Sequence, residues 1–248
     1  MTRDELEYYT GQLLEVPRFR DSCPNGLQIE GRRRIEKIVT GVTASLDFLK
    51  AAVRGKADAV LVHHGYFWRG EDPRLLGTRK ARIALLLAHD INLFAYHLPL
   101  DAHPELGNNA QLARILDFQL DAWFGEQNVA AHGRLSRPLS LAALQRQVAN
   151  RLGHPPLVIG KPSAKIRRIA WCSGAAPDWL AQAADLGVDA YLTGEASEPA
   201  AHLARETGVA LIAAGHHATE RFGIGALGEH LAQRFGLEHR FVDRPIPV

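Results

Sequence analysis

The chain of 248 residues is poor in cysteine and has no long hydrophobic run. It contains only Cys23 and Cys172, so a disulfide framework is not expected and no cysteine pair has the spacing of a zinc site. No apolar run approaches the roughly 18 residues that a membrane-spanning helix needs. The N-terminal segment is acidic and amphipathic and lacks the apolar centre of a signal peptide. The expected location is therefore the cytoplasm, without a membrane partner.

An excess of charge of either sign is also missing. The 29 Lys and Arg residues nearly balance the 27 Asp and Glu residues, giving a net charge of +2, so nucleic acid is not an expected partner. The basic run Arg32–Arg34, with Lys37, is interpreted as a solvated lead-in to a strand. The sequence has no GxxxxGK[ST] phosphate loop and no GxGxxG dinucleotide fingerprint. Its serines and cysteines also lack the surroundings of a nucleophile.

Hydrophobic residues and histidines, in contrast, are well represented. Hydrophobic residues make up 46% of the chain, which is enough for a sizeable core in one large domain or two compact lobes. The chain has 12 histidines, and several of them cluster at the ends of apolar runs. The arrangement of these histidines is the main clue to function.

The sequence contains an internal repeat. Ile35–His64 aligns without a gap to Ile166–Glu195 at an offset of 131, and within it the triplet 47–49 (DFL) meets 178–180 (DWL). Each copy has an apolar run, a turn, an amphipathic segment of helical period and a second apolar run. This order predicts a strand, a helix and a second strand parallel to the first.

The repeat extends less securely to a third strand in each copy, INLFA in the first and VALIA in the second. An offset of 119 matches His97 to His216 and Asp101 to Glu220, whereas an offset of 118 fits the preceding turn slightly better. Both alternatives stay open. Each copy then continues into a helix.

The expected fold is of the α/β class, with two similar lobes that arose by internal duplication. The first lobe is expected to span residues 1–124 and the second residues 125–248. Within the second, Ser140 is a predicted N-cap for a helix over residues 141–152 that Gly153 ends. The crevice between the lobes is the expected place for a dinuclear metal site, with ligands from the first lobe (His63, His64, Asp101) and the second (His216, Glu220).

Adjacent histidines end a buried strand of the first copy. In a parallel α/β sheet, ligands bind outside the carboxyl ends of the strands, where His63 and His64 are predicted to lie. Side chains alternate along a strand, but at its end, followed by Gly65, both imidazoles can turn to one side. The alternative is one histidine in the core and one on the surface.

A second polar cluster, YHLPLDAH, follows the next strand. Pro99 is predicted to prevent a regular helix here, which would leave His97, Asp101 and His103 on a tight turn. The alternative is an ordinary polar loop with a capping aspartate.

A third cluster, GHHATE, follows the last strand of the second copy. His216 and Glu220 are four residues apart, which places them on one face of a helix. That spacing suits two ligands of one metal ion or of a metal pair. His217 would point elsewhere and is interpreted as a packing residue.

Together these clusters favour a metal centre. Imidazole and carboxylate ligands without thiolate suit zinc, iron, manganese, nickel or cobalt. Five ligands exceed the three of a mononuclear catalytic zinc site, so two ions are expected. Glu195, which aligns with His64 in the repeat, is a candidate catalytic residue. It is alternatively a carboxylate behind the ligands or a helix N-terminal residue.

Long motifs give the chain a family resemblance. NGLQIEG, VLVHHGYFW, FAYHLPLDAHPELGNNAQLA, DAYLTGEASE and AAGHHATERFG are similar to those of the YbgI-type dinuclear-metal family, whose members are labelled GTP cyclohydrolase type 2 homologues. The resemblance covers essentially the whole chain. It implies two α/β lobes, a ring-shaped hexamer and five metal ligands, which correspond here to His63, His64, Asp101, His216 and Glu220.

The resemblance and the residues together suggest three functions. The first is a metal-dependent hydrolase of a nucleotide or related small molecule, in which a hydroxide held between two divalent ions is the nucleophile. The second is a non-enzymatic metal-binding protein, such as a metal chaperone, a store or a regulatory scaffold. The third is a nucleic-acid-processing ring protein, since a ring could thread a strand. The native metal, the substrate and the pathway do not follow from the sequence.

Overall fold

The computed structural model describes residues 1–246, in which nine α-helices and eleven β-strands form an α/β fold with two sheets. The helices are α1 (Arg3–Leu13), α2 (Leu46–Arg54), α3 (Gly77–Ala88), α4 (Leu98–Ala102), α5 (Asn108–Leu116), α6 (Leu141–Leu152), α7 (Leu180–Asp185), α8 (Glu198–Thr207) and α9 (His216–Phe235). The strands are β1 (Gly26–Ile29), β2 (Lys37–Thr43), β3 (Ala59–His64), β4 (Asn92–Ala95), β5 (Phe118–Phe124), β6 (Ala130–Ser140), β7 (Leu157–Ile159), β8 (Lys165–Trp171), β9 (Ala190–Thr193), β10 (Ala210–Ala213) and β11 (Glu238–Phe241).

The chain divides into two compact units. The first contains Met1–Leu100 and Gly223–Arg244, and the second contains Asp101–Phe222 with the described residues after Arg244. This division differs from the expected boundary between residues 124 and 125. Two strand pairings are the physical reason: β5 pairs antiparallel with β6 and so belongs to the second sheet, and β11 pairs in parallel with β2 and so returns the end of the chain to the first sheet.

The first unit has a five-stranded sheet in the order β1-β4-β3-β2-β11. All its strands are parallel except β1, which pairs antiparallel with β4. Val60 and Val62 of β3 are fully buried and pack with Phe48 of α2. Ser45 begins α2 by accepting a hydrogen bond from the Phe48 backbone N–H, which satisfies one of the helix's unpaired donors.

The second unit has a six-stranded sheet in the order β5-β6-β8-β9-β10-β7. Its centre, β8-β9-β10, is parallel, and antiparallel strands flank it. Trp171 at the end of β8 is fully buried, and its indole N–H donates to the Asn109 carbonyl at 2.9 Å. The predicted helix over residues 141–152 is confirmed as α6, with Ser140 as its N-cap and Gly153 in the left-handed region at its C-terminus.

The repeat segments have the same architecture and the same strand register. Val39 pairs with Val60 between β2 and β3, and the positions 131 residues later, Ala170 and Tyr191, pair between β8 and β9. A helix joins the two parallel strands in each unit. The predicted strand–helix–strand order is therefore confirmed. Duplication as its origin stays a prediction.

In each unit, the aspartate directly before the second strand of the repeat accepts two backbone hydrogen bonds from the start of the first strand. The Asp58 carboxylate accepts hydrogen bonds from the backbone N–H groups of Glu36 and Lys37, each at 2.9 Å. Asp189 accepts in the same way from Arg167 and Arg168, each at 2.8 Å. The carboxylate thus satisfies donors at the start of the neighbouring strand, which fixes the register of the pair.

The third strands follow the offset of 118. Leu93 pairs with Val60, and Leu211, 118 residues later, pairs with Tyr191. Beyond these strands, matching His97 to His216 requires a shift of one residue. The local structures also differ, since His97 precedes α4 whereas His216 begins the long helix α9.

The short helix α4 corrects one expectation. Pro99 does not prevent a helix, because it occupies the first turn of α4 (Leu98–Ala102). A proline in the first turn lacks only an N–H that would have no partner within the helix. Asp101 therefore lies on a helical turn.

Among residues 1–246, no helix is long and apolar enough to cross a membrane.

Candidate metal centre

In the first unit, His63 and His64 lie together at the end of β3. Their ring centroids are 4.6 Å apart, although neighbouring side chains in a regular strand point to opposite faces. The His63 Nδ1–H donates to the Tyr96 carbonyl at 2.9 Å, and His64 Nδ1 hydrogen-bonds Thr43 Oγ1 at 3.2 Å. Both rings are thus oriented by the ends of neighbouring strands. Gly65 is required next to them, because a Cβ there would lie 2.2 Å from Gln28 Oε1.

A third imidazole, His97, lies beside this pair. Its ring centroid is 5.0 Å from that of His63 and 5.9 Å from that of His64. One ring nitrogen from each of the three histidines lies within 4.8 Å of the others, close enough for a shared ion. The edge of Trp68 packs against His97 at a centroid distance of 4.9 Å.

Asp21 holds His97 in place. Its Oδ1 accepts a hydrogen bond from His97 Nδ1 at 2.8 Å, and its Oδ2 accepts from Asn25 Nδ2 and the Leu98 backbone N–H. Burial raises the pKa of Asp21, but the interactions with His97, Asn25 and Leu98 outweigh it and hold that pKa well below its usual range. The segment DSCPNG was expected only to form a turn. No pattern in the sequence linked Asp21 to His97, 76 residues away.

In the second unit, Asp101 is a buried carboxylate that accepts hydrogen bonds from neighbouring side chains. Its Oδ1 accepts hydrogen bonds from Asn108 Nδ2 at 2.9 Å and Ser173 Oγ at 3.0 Å. Asn109 in turn accepts from the Ser173 backbone N–H. Asn108, Asn109 and Ser173 were missed as site residues. Asn108 and Asn109 begin α5, seven and eight residues after Asp101, and this proximity in the sequence is the signal that points to them.

His216 and Glu220 begin α9 on one face, as their spacing predicted. His216 Nε2 is 3.2 Å from Glu220 Oε2, and His216 Nδ1 hydrogen-bonds Glu195 Oε1 at 2.6 Å. Burial alone lowers the pKa of His216, but hydrogen bonds and charge from Glu220 and Glu195 raise it to about 9. Glu195, proposed from the repeat as a catalytic residue, thus lies against a candidate ligand, and its carboxylate is 45% exposed.

Two glycines allow this close packing. Gly174 has a φ of +66°, and a Cβ there would lie 2.2 Å from Glu220 Oε1. Gly194 would place a Cβ 2.7 Å from the His216 Cα. The Gly174 N–H also donates to Thr219 Oγ1 at 3.0 Å. The loops after β8 and β9 therefore need glycine in order to reach the beginning of α9.

The donor set fits a divalent cation. Asp101 and Glu220 are only 6% and 3% exposed, and one oxygen of each lies within 4.8 Å of the other. Two buried carboxylates so close together repel each other unless positive charge compensates them. Protonated His216, 3.2 Å from Glu220, is one source of that charge, and a bound divalent ion is another.

His103 plays a different part, since its Nδ1 accepts the backbone N–H groups of Glu105 and Leu106 in a turn.

The cysteines are not activated nucleophiles. Burial raises the pKa of the Cys23 thiol to about 12, and the charge of Asp21 adds to the effect. Burial also raises the pKa of Cys172 well above its usual value, with further contributions from Asp101 and Glu220. Both thiols therefore stay protonated at neutral pH, as expected from their surroundings in the sequence.

Comparison with known proteins gives the family. The profile of the Duf34/NIF3 (NGG1p interacting factor 3) family matches residues 1–247. The chain belongs to the Duf34/NIF3 family. Two Duf34/NIF3 relatives named GTP cyclohydrolase 1 type 2 homolog are similar over nearly their whole length. One, from Neisseria meningitidis serogroup A, is 55% identical and covers 100% of this chain and 99% of its own. The other, from Pseudomonas aeruginosa, is 53% identical and covers 95% and 94%.

A solved structure supports the same assignment. The structure described as protein ybgI, of unknown function, is 48% identical and covers 100% of both chains with a TM-score of 0.97. The resemblance inferred from the motifs is thus confirmed, and the α/β fold of this Duf34/NIF3 chain matches a known one.

Proposed function

We propose that this protein is a metal-dependent hydrolase whose centre binds two divalent ions through five residues (His63, His64, Asp101, His216, Glu220). The observation that carries the proposal is the way the candidate imidazoles are anchored. Nδ1 of His63, His64 and His216 is hydrogen-bonded to a protein group at 2.6–3.2 Å. A metal-ligating histidine almost always makes such a bond through its other ring nitrogen.

In the proposed hydrolase, the bound ions and the protein side chains would have different roles. Two bound ions of zinc, iron, manganese, nickel or cobalt would supply Lewis acidity and make water a stronger acid. Glu195, which is partly exposed, would fix the orientation of His216 through the hydrogen bond to its Nδ1. Neither Cys23 nor Cys172 competes as a nucleophile, because both thiols are buried and protonated.

The proposed substrate class is based on the names of the relatives. Proteins 53% and 55% identical to this chain carry the name GTP cyclohydrolase 1 type 2 homolog. We therefore propose a nucleotide or a related small molecule as the substrate. Opening of the purine ring of GTP by water, with release of formate, is the first reaction to test.

The test is a panel of metabolites, with GTP included, offered to protein that has been stripped and reloaded with each candidate metal. We expect turnover that requires metal, disappears with chelator and is lost in Glu220→Ala. His202→Ala is the matched control, because His202 is an exposed histidine of α8. Tight binding of metal without turnover of any compound would contradict the hydrolase and would favour a metal carrier or scaffold.

A further inference from the structure

His97 has no role in the five-residue centre, yet it is placed like a ligand. It lies directly after β4, while His63 and His64 end the neighbouring strand β3. Its ring is 5.0 Å from that of His63, and one nitrogen of each of the three rings lies within 4.8 Å of the others. The first unit therefore brings together three imidazoles rather than two.

Asp21 gives the His97 ring a fixed orientation. The Asp21 side chain is only 3% exposed, and its hydrogen bond to His97 Nδ1 is 2.8 Å long. Asn25 strengthens the arrangement, since its Oδ1 accepts the His97 backbone N–H at 2.7 Å and its Nδ2 donates to Asp21. With Nδ1 bound to a carboxylate, Nε2 is the nitrogen that is available for a ligand.

We propose that His97 is a further metal ligand, so that His63, His64 and His97 supply three imidazoles to the proposed centre. This inference rests on the proposed function, since it concerns the same ions. Three imidazoles are an established donor set for zinc and related divalent ions. The hydrogen bond from His97 Nδ1 to Asp21 is the carboxylate–histidine pair that commonly supports a ligating nitrogen.

The alternative is that His97 and Asp21 form a hydrogen-bonded pair that only stabilises the fold. This alternative does not explain why the His97 ring lies beside His63 and His64. Asp21 also accepts hydrogen bonds from the backbone N–H groups of Ser22 and Leu98 and from Asn25, so His97 is one of several donors to this carboxylate. A structural pair would also have no reason to place the His97 ring beside two other imidazoles. Asp21 is thus a positioning residue for His97.

The test is Co²⁺ binding to the full-length metal-free protein, followed by calorimetry and by visible absorption. We expect His97→Gln to weaken one of the two Co²⁺ sites about 10–100-fold and to change its absorption spectrum. Asp21→Asn should weaken the same site to a similar degree while His97 is still present. His89→Gln, an exposed histidine of the same unit, is the control and should bind as the wild type does.

A measurement on the wild type makes the test independent of how the variants fold. Ligating imidazoles give exchangeable N–H signals that paramagnetic Co²⁺ shifts far from the usual range of the proton spectrum. Three such signals are expected if His63, His64 and His216 are the imidazole ligands, and four if His97 is also one.

The outcomes separate the two proposals. Four shifted signals and weaker binding in both variants support His97 as a ligand. Three shifted signals, or unchanged affinity in both variants, would overturn it and leave the five-residue centre intact. A wild-type protein that binds no Co²⁺ would instead overturn the proposed function together with this inference.

Discussion

At the scale of single residues, Glu195 is the side chain whose role is most open to test. Its carboxylate lies 2.6 Å from His216 Nδ1, so Glu195→Gln should weaken the metal site about 10–100-fold through loss of this support. Metal titration of the variant measures the effect. If Glu195 is instead a general base, metal binding should be unchanged while turnover falls roughly 10²–10⁴-fold. A loss confined to thermal stability would contradict both roles.

Gly174 offers a second test with a closely matched control. Gly174→Ala should reduce the free energy of unfolding by about 1–3 kcal/mol because its φ is +66°, and should also impair metal binding because the new Cβ would displace Glu220. Gly153 has the same φ of +66° but no atom within 4 Å of the added Cβ. Gly153→Ala should therefore show the backbone cost alone. Equal metal binding in the two variants would contradict the role assigned to Gly174.

The sequence identified the candidate ligands but not what supports them. The motifs HHG, HLPLD and GHHATE predicted five candidate ligand residues, and the spacing of His216 and Glu220 predicted their shared helix face. The partners Asp21 and Ser173 could not be predicted, because each reaches a site residue more than 70 positions away without a pattern in the sequence. Hydrogen bonds between distant loops depend on the folded sheet.

At the scale of secondary-structure elements, the equivalent aspartates make the repeat testable. Asp58→Ala and Asp189→Ala each remove the acceptor for two backbone N–H groups, and each should lower the free energy of unfolding by about 1–3 kcal/mol. Asp185→Ala, on the exposed side of α7, should change it by less than about 0.5 kcal/mol. Urea unfolding measures all three. A large loss in one aspartate variant and none in the other would contradict the equivalence.

Some features of the strands and helices could be predicted from the sequence and others could not. The gapless offset of 131 predicted the strand–helix–strand order of both segments, because the apolar runs and the helical period recur at the same spacing in each copy. It could not predict that β11 pairs with β2, since a short edge strand carries no information about its partner. Pro99 was also misjudged, because its effect depends on which helical position it occupies.

At the scale of the whole molecule, the family resemblance predicts a ring of six chains. Sedimentation equilibrium should then give six times the chain mass of 27.3 kDa. We expect metal removal to leave this mass unchanged if the ligands lie within one chain. A monomer at micromolar concentration would contradict the predicted assembly, and dissociation on metal removal would show that the ions also hold the chains together.

Each chain is proposed to bind two divalent ions through five residues (His63, His64, Asp101, His216, Glu220). Elemental analysis of protein reloaded with a single metal and then dialysed tests it most directly. We expect about two ions per wild-type chain and about one or none in His63→Ala and in His216→Ala, with His202→Ala equal to the wild type. Unchanged metal content in both ligand variants, or no stoichiometric metal in the wild type, would contradict it.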